Sequence, residues 1–186
     1  MADEVWLLRH AETEWSRSGQ HTGRTDIPLT DAGREVARTL GERLAGEQFA
    51  LALCSPLSRA RETAQLARLE CSGLRDDLLE WDYGEYEGLT TPEIREDRPD
   101  WFLWRDGSPG GEMPDEVAAR CDRVIAEVRA VEGRVALVAH GHILRALAAR
   151  WIDAPIDLGG KLHLGTGTVS VLAYEREVAV ISRWNT

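Results

Sequence analysis

Arg9-His10 follows the apolar run Val5-Trp6-Leu7-Leu8 directly, and His140-Gly141-His142 follows a second run, Val135-Ala136-Leu137-Val138-Ala139. A third run, Leu51-Ala52-Leu53-Cys54, leads through Ser55-Pro56 to Arg59 and Arg61. An isolated histidine is ordinarily structural. Two histidine-bearing segments and an arginine, all at the ends of equivalent runs, point instead to one shared site. The residue types suit phosphoryl transfer. Arginine offers a planar fork that matches phosphate oxygens two at a time and keeps its charge at any working pH. A neutral imidazole can attack phosphorus and leave again, which splits one hard displacement into two easier ones. The amides of Gly141 and His142, at the start of an expected helix, add donors for an anion. There is no Walker-type glycine loop, and no carboxylate cluster calls for magnesium. The reading is histidine-based transfer with no metal and no cofactor.

These side chains need elements to hold them. The three runs are apolar at successive positions instead of alternating, as strands are when helices cover both faces of a parallel sheet. Helical signals follow. Thr30 can cap a helix through about Ala45, with Val36, Leu40 and Leu44 on one face. Ser55-Pro56 reads as N-cap plus first-turn proline of a helix to about Ala67, and Thr91-Pro92 repeats the signal before a shorter one. Val117, Cys121, Val124, Val128 and Val131 define one buried helix face, and Ile143, Leu147 and Trp151 another. Val169 to Leu172 and Val178 to Ile181 flank Glu175-Arg176 as a hairpin. Gly107 to Gly111 and Gly159 to Gly167 read as loops. Strands alternating with helices give a three-layer α/β/α domain over 1–186, with a mostly parallel central sheet and an antiparallel edge.

Composition narrows the function classes. The net charge of −10 opposes non-specific binding to nucleic acid or to an anionic membrane. It leaves room for a small anionic substrate in a cleft where arginines cluster. No apolar run approaches the ~20 residues of a membrane span. The acidic start, Met1-Ala2-Asp3-Glu4, is unlike a signal peptide, so the expected location is cytoplasmic. Cys54, Cys71 and Cys121 are too few and too scattered for a disulfide framework or a zinc site.

Leu8-Arg9-His10-Ala11-Glu12-Thr13 resembles the Arg-His-Gly signature of the histidine phosphatase superfamily, also called phosphoglycerate mutase-like, with Ala11 in place of the usual glycine. Further matches run in order: Thr22-Gly23, Leu29-Thr30, Ser55-Pro56-Leu57-Ser58-Arg59-Ala60 with Thr63-Ala64, and His140-Gly141-His142. The resemblance implies that His10 becomes the phosphohistidine, and that Arg9, Arg59 and His140 hold the phosphoryl group. It makes Glu80, in Leu79-Glu80-Trp81-Asp82-Tyr83-Gly84, the acid/base that protonates the leaving alkoxide and then activates water. That role needs a protonated Glu80 and implies an acidic pH optimum. Tyr83, Thr22 and Gly23 match substrate-contacting positions, and Ser16 stands where mutases carry a phosphate-contacting asparagine. His21 and His163 read as loop residues, and the tryptophans as core or pocket wall.

Within the superfamily, hydrolysis and mutase action share the phosphohistidine step. Mutases resembling this chain carry a lysine where Thr91 stands and an adjacent arginine pair, whereas Trp101 to Gly107 offers only Arg105. Trp81 to Gly88, and Trp104 to Gly107 followed by Gly111-Glu112, resemble a phosphatase branch of sedoheptulose-1,7-bisphosphatase-like and broad acid phosphatases. The implied activity is phosphomonoester hydrolysis on sugar phosphates or bisphosphates, with cofactor-dependent phosphoglycerate mutase as the alternative. Arg105 either binds a distal phosphate or pairs with Asp106 or Glu112. The expected partner is a small phosphorylated metabolite, not nucleic acid or membrane, and a homo-oligomer is left open.

Overall fold

The computed structural model describes residues 2–186; Met1, the first residue of the expected domain, lies outside the described residues. Six strands form one sheet: β1 (Ala2–Arg9), β2 (Leu51–Cys54), β3 (Gly73–Leu74), β4 (Gly133–Ala139), β5 (Val169–Glu175) and β6 (Val178–Arg183). Their order is β3-β2-β4-β1-β5-β6. The pairs β3-β2, β2-β4 and β4-β1 are parallel, while β1-β5 and the β5-β6 hairpin are antiparallel. Seven helices complete the fold: α1 (Glu14–Ser18), α2 (Asp31–Leu44), α3 (Ser58–Leu66), α4 (Thr91–Asp97), α5 (Leu103–Asp106), α6 (Pro114–Arg129) and α7 (Gly141–Trp151).

The uninterrupted apolar runs are explained by helices on both faces of the sheet. Successive residues of a strand point to opposite sides. Trp6, Leu8, Ala52, Cys54, Ala136 and Val138 pack with Leu40 and Leu44 of α2 and Ala60 and Ala64 of α3. Their neighbours Val5, Leu7, Leu53, Val135 and Leu137 meet Val117, Cys121, Val124 and Val128 of α6 and Leu147 and Trp151 of α7. Each fully buried large aliphatic contributes roughly 1.5–3 kcal/mol.

Several local expectations shift. Val36 is exposed, while α2 buries Leu40 and Leu44 of the expected face together with Gly33 and Ala37. Val36 sits against Gly167, where a Cβ has no room. The α3 helix starts at Ser58, three residues after Ser55, with no cap from its own Leu57; the Asp26 carboxylate accepts from the Ser58 amide at 2.9 Å. Ser55 does not cap because its hydroxyl is used elsewhere. Thr90, not Thr91, caps α4 in a reciprocal box with Glu93. Gly159 and Gly160 lie in a 3-10 turn over Ile156–Lys161 rather than an open loop.

The cysteines also need correction. Cys54 and Cys71 are joined as a disulfide with Cα atoms 6.1 Å apart, and Cys121 is a buried free thiol. Their 17-residue separation concealed the pairing, which arises because β2 and β3 run parallel and bring the two segments together. Among the described residues no helix is long and apolar enough to cross a membrane.

Candidate active site

The register of the sheet brings the chemistry to one edge. Arg9 pairs with Ala139, and Cys54 with Val138, so β1, β2 and β4 end together. His10, Ser55 and His140 are the next residues in each case. The His10 amide donates to the Ala139 carbonyl at 2.9 Å and the Ser55 amide to Val138 at 2.9 Å, extending the ladder into the site.

His10 is buried, and its Nδ1 lies 2.7 Å from the Ala11 carbonyl. A carbonyl can only accept, so Nδ1 carries the proton and Nε2 keeps its lone pair. Nε2 has no protein partner and is not among the sealed, unpaired buried atoms. Burial, reinforced by the charges of Arg9 and Arg59, pushes the His10 pKa well below the usual histidine value. The ring is thus a neutral imidazole with its nucleophilic nitrogen open.

Arg9 shares a cavity of about 270 Å³ with His10. One Nη of Arg9 donates to the Leu164 carbonyl, while its buried Nε has no partner. Gly141 makes this placement possible, because a Cβ there would stand 3.1 Å from the guanidinium carbon.

Arg59 and His140 stand behind His10, both fully buried and outside the cavity lining. Arg59 Nε donates to His140 Nδ1 at 3.1 Å, and its Nη atoms donate to the carbonyls of Thr22, Gly23 and Thr25. His140 Nε2 lies 2.7 Å from Ser55 Oγ. Both ring nitrogens of His140 are therefore engaged. In this arrangement Arg59 holds His140 and the 22–25 loop, and the His140 ring lies 5.1 Å from that of His10.

Glu80 enters the cavity from the segment after a 3-10 turn at Asp76–Leu78. Its carboxylate accepts from three amides: Trp81 at 2.9 Å, His142 at 2.9 Å and Ile143 at 2.8 Å. Two of these belong to the first turn of α7, whose amides have no partner within the helix. The His142 amide expected to serve a bound anion thus serves Glu80. Arg120 of α6, which the sequence reading passed over, donates to the Asp77 and Leu79 carbonyls at 2.8 and 2.9 Å and to Glu112. It fixes the backbone that presents Glu80.

The remaining wall is neutral. Tyr83 Oη lies 2.6 Å from His142 Nδ1. Burial raises the tyrosine pKa and lowers that of His142, so the phenol donates and the imidazole accepts. Thr22, Ser16, Gln20 and Thr91 also line the cavity. The Ser16 hydroxyl is occupied by the α1 cap, accepting from the Thr13 amide and donating to its carbonyl. Gly23 is not in the wall; its amide donates to Glu87 at 2.8 Å, and a Cβ there would meet the Trp81 carbonyl at 2.6 Å.

One placement departs further from the sequence reading. His21, read as a loop residue, is buried in the cavity wall with its ring 4.7 Å from Tyr83 and 5.6 Å from Trp101. Burial brings its pKa down to about 4. Its only sequence signal was adjacency to Thr22-Gly23. Of the two roles open to Arg105, the structure has the ion pair: Arg105 grips Asp106 at 2.7 and 2.8 Å and the Asp100 carbonyl at 2.6 Å. Its neighbour in sequence out-competes a remote ligand. Among the described residues no group of three or more His, Cys, Asp or Glu side chains could hold a metal.

An uncommitted imidazole nitrogen, a cation and a carboxylate thus share one cavity. The family profile described as histidine phosphatase superfamily (branch 1) matches residues 5–186. The chain belongs to the histidine phosphatase superfamily. Among similar proteins is an acid phosphatase of Mycobacterium tuberculosis, 41% identical over 182 residues and covering 94% of this chain and 90% of that protein. A sedoheptulose 1,7-bisphosphatase of Saccharomyces cerevisiae is 37% identical over 81% of this chain and 68% of its own. A solved mycobacterial glucosyl-3-phosphoglycerate phosphatase superposes with a TM-score of 0.88 at 30% identity, covering 99% of each chain. This histidine phosphatase is a hydrolase with the α/β sheet of those relatives, and its antiparallel strands lie on one edge as the β5-β6 hairpin.

Proposed function

We propose that this chain hydrolyses phosphomonoesters of sugars through a phosphohistidine at His10. The observation that carries the reading is the open Nε2 of His10 beside Arg9, in one cavity with Glu80. Nε2 attacks phosphorus, the bond to the leaving oxygen breaks, and that alkoxide takes a proton from Glu80. Water then attacks the phosphohistidine, the Glu80 carboxylate takes the water proton, and the P–N bond breaks to release phosphate. Arg9 neutralises charge that builds on the phosphoryl oxygens. Arg59 and His140 support the geometry of the nucleophile.

Thr91 supports hydrolysis over mutase action. It lines the cavity and contacts His21 Nε2 at 3.3 Å, so a neutral hydroxyl stands where a second phosphate needs a cation. A cytoplasmic setting, with dissolved sugar phosphates as substrate, belongs to the same reading. The test is phosphate release from a panel of sugar phosphates, with isomer formation from 3-phosphoglycerate and its bisphosphate primer followed in parallel. We expect phosphate without isomer in the wild type, and a loss of about a thousandfold or more in His10→Ala. Primer-dependent isomerisation without phosphate release makes the protein a mutase.

A further inference from the structure

The relatives and the sequence leave open whether the preferred substrate carries one phosphate or two. The cavity wall bears on that question. Among the described residues lining it, Arg9 is the one arginine or lysine, and Glu80 is its one carboxylate. The other arginines nearby are committed. Arg105 holds Asp106, Arg24 reaches Asp82 and Glu112, and Arg17 holds Glu14. Arg145 stacks 5.0 Å from the Trp104 ring centre and donates to the Gly159 carbonyl at 2.8 Å. None of these four lines the cavity. The histidines there add no charge near neutral pH, since burial lowers the pKa of His10, His21 and His142 alike. A second phosphate would lose its water in a space whose single cation already serves the scissile group.

The hydrogen-bonding groups of the wall are neutral, and most are engaged: Gln20 donates to the Gly88 carbonyl and accepts from Ser18, Thr22 donates to the Gln20 carbonyl, and Thr91 meets His21. His142 presents a fixed donor. With Nδ1 of His142 accepting from Tyr83, the ring proton must sit on Nε2. Nε2 has no protein partner and is not sealed from solvent. The ring is held from two more sides, 5.5 Å from Trp104 and 6.0 Å from His21 between ring centres. Such a donor is pre-oriented for a hydroxyl oxygen and costs little ordering on binding.

We propose that His142, oriented by Tyr83, donates from Nε2 to a hydroxyl of the leaving group, and that the cavity, with Arg9 as its one lining cation, selects sugar monophosphates over sugar bisphosphates. This rests on the phosphatase reading above. His142 and Tyr83 are specificity determinants; the bond-making groups remain His10 and Glu80.

The experiment compares kcat/KM for a hexose monophosphate, the corresponding hexose bisphosphate and p-nitrophenyl phosphate, whose leaving group has no hydroxyl to accept from His142 in the same way. Wild type, His142→Ala and Tyr83→Phe are each measured. In the wild type we expect the monophosphate to exceed the bisphosphate by about tenfold or more. In His142→Ala the ratio of sugar ester to aryl ester should fall about tenfold, and in Tyr83→Phe the same ratio should fall by less. A bisphosphate preference overturns the proposal, as does an equal loss on sugar and aryl esters in His142→Ala, which marks a merely structural residue. Absence of phosphate release from every ester, the aryl ester included, overturns the phosphatase reading as well. Aryl ester turnover together with a bisphosphate preference overturns the monophosphate proposal alone.

Discussion

At the scale of single residues, the site depends on which nitrogen of each imidazole is free. His10 gives Nδ1 to the Ala11 carbonyl and keeps Nε2 uncommitted, whereas His140 gives up both nitrogens to Arg59 and Ser55. Because burial and two arginines hold the His10 pKa well below 6.5, protonation does not remove the nucleophile in mildly acidic solution. A general acid must carry its proton before it can give it up, so donation to the leaving oxygen gains as pH falls. The profile of kcat/KM against pH should therefore be higher on the acid side and decline towards alkaline pH. A rate that rises steadily with pH contradicts this acid/base scheme. Gly141 supplies a second residue-level prediction. In Gly141→Ala the new methyl meets the Arg9 guanidinium carbon at 3.1 Å, and the arginine must move. Activity should drop about tenfold or more, while the thermal midpoint changes by only a few degrees. Steady-state kinetics and a melting curve on the same preparation check both halves.

At the scale of elements, the buried imidazoles tie stability to pH. His10, His21, His140 and His142 all have folded pKa values below 6.5 because burial penalises their charged forms. The unfolded chain then takes up protons first as pH falls. The stability is full above pH 6.5 and is lost on acidification, for His21 until pH reaches about 4. His21 alone accounts for about 3 kcal/mol across that interval. Thermal midpoints should fall steadily from pH 7 to pH 4, and a flat series would show that these rings are hydrated. Much of the element structure was legible. Runs buried on both faces left the β1, β2 and β4 signatures, and Thr30 marks a helix start as it appears. The rest depends on distant partners. Ser55 looked like a cap but holds His140, and the cap for α3 comes from Asp26 across the site. Val36 fitted the buried stripe of α2, yet it covers Gly167 at the surface. The place of His21 follows from Tyr83 and Trp101, which lie 62 and 80 positions away in the chain.

At the scale of the whole molecule, the sheet edge that collects the site also sets the position of the cysteines. The Cys54–Cys71 bridge spans 17 residues and closes the segment from the end of β2 past α3. A loop of that size corresponds to about 3 kcal/mol of stabilisation when oxidised. Thiol titration of unfolded, unreduced protein should find one free sulfhydryl, Cys121, and titration after reduction should find three. Three before reduction would mean that Cys54 and Cys71 stand as free thiols in the protein as isolated. The reacting groups and the groups that face the leaving portion belong to different parts of this architecture. Arg9, His10 and His140 stand at the ends of buried strands, where neighbouring ladders fix them. Gln20, His21, Thr22 and Thr91 sit on the connection after α1 and in the first turn of α4. In evolutionary terms the two sets can vary separately: substitutions in the connecting segments alter which alcohol is accepted, and the strand ends preserve how it departs.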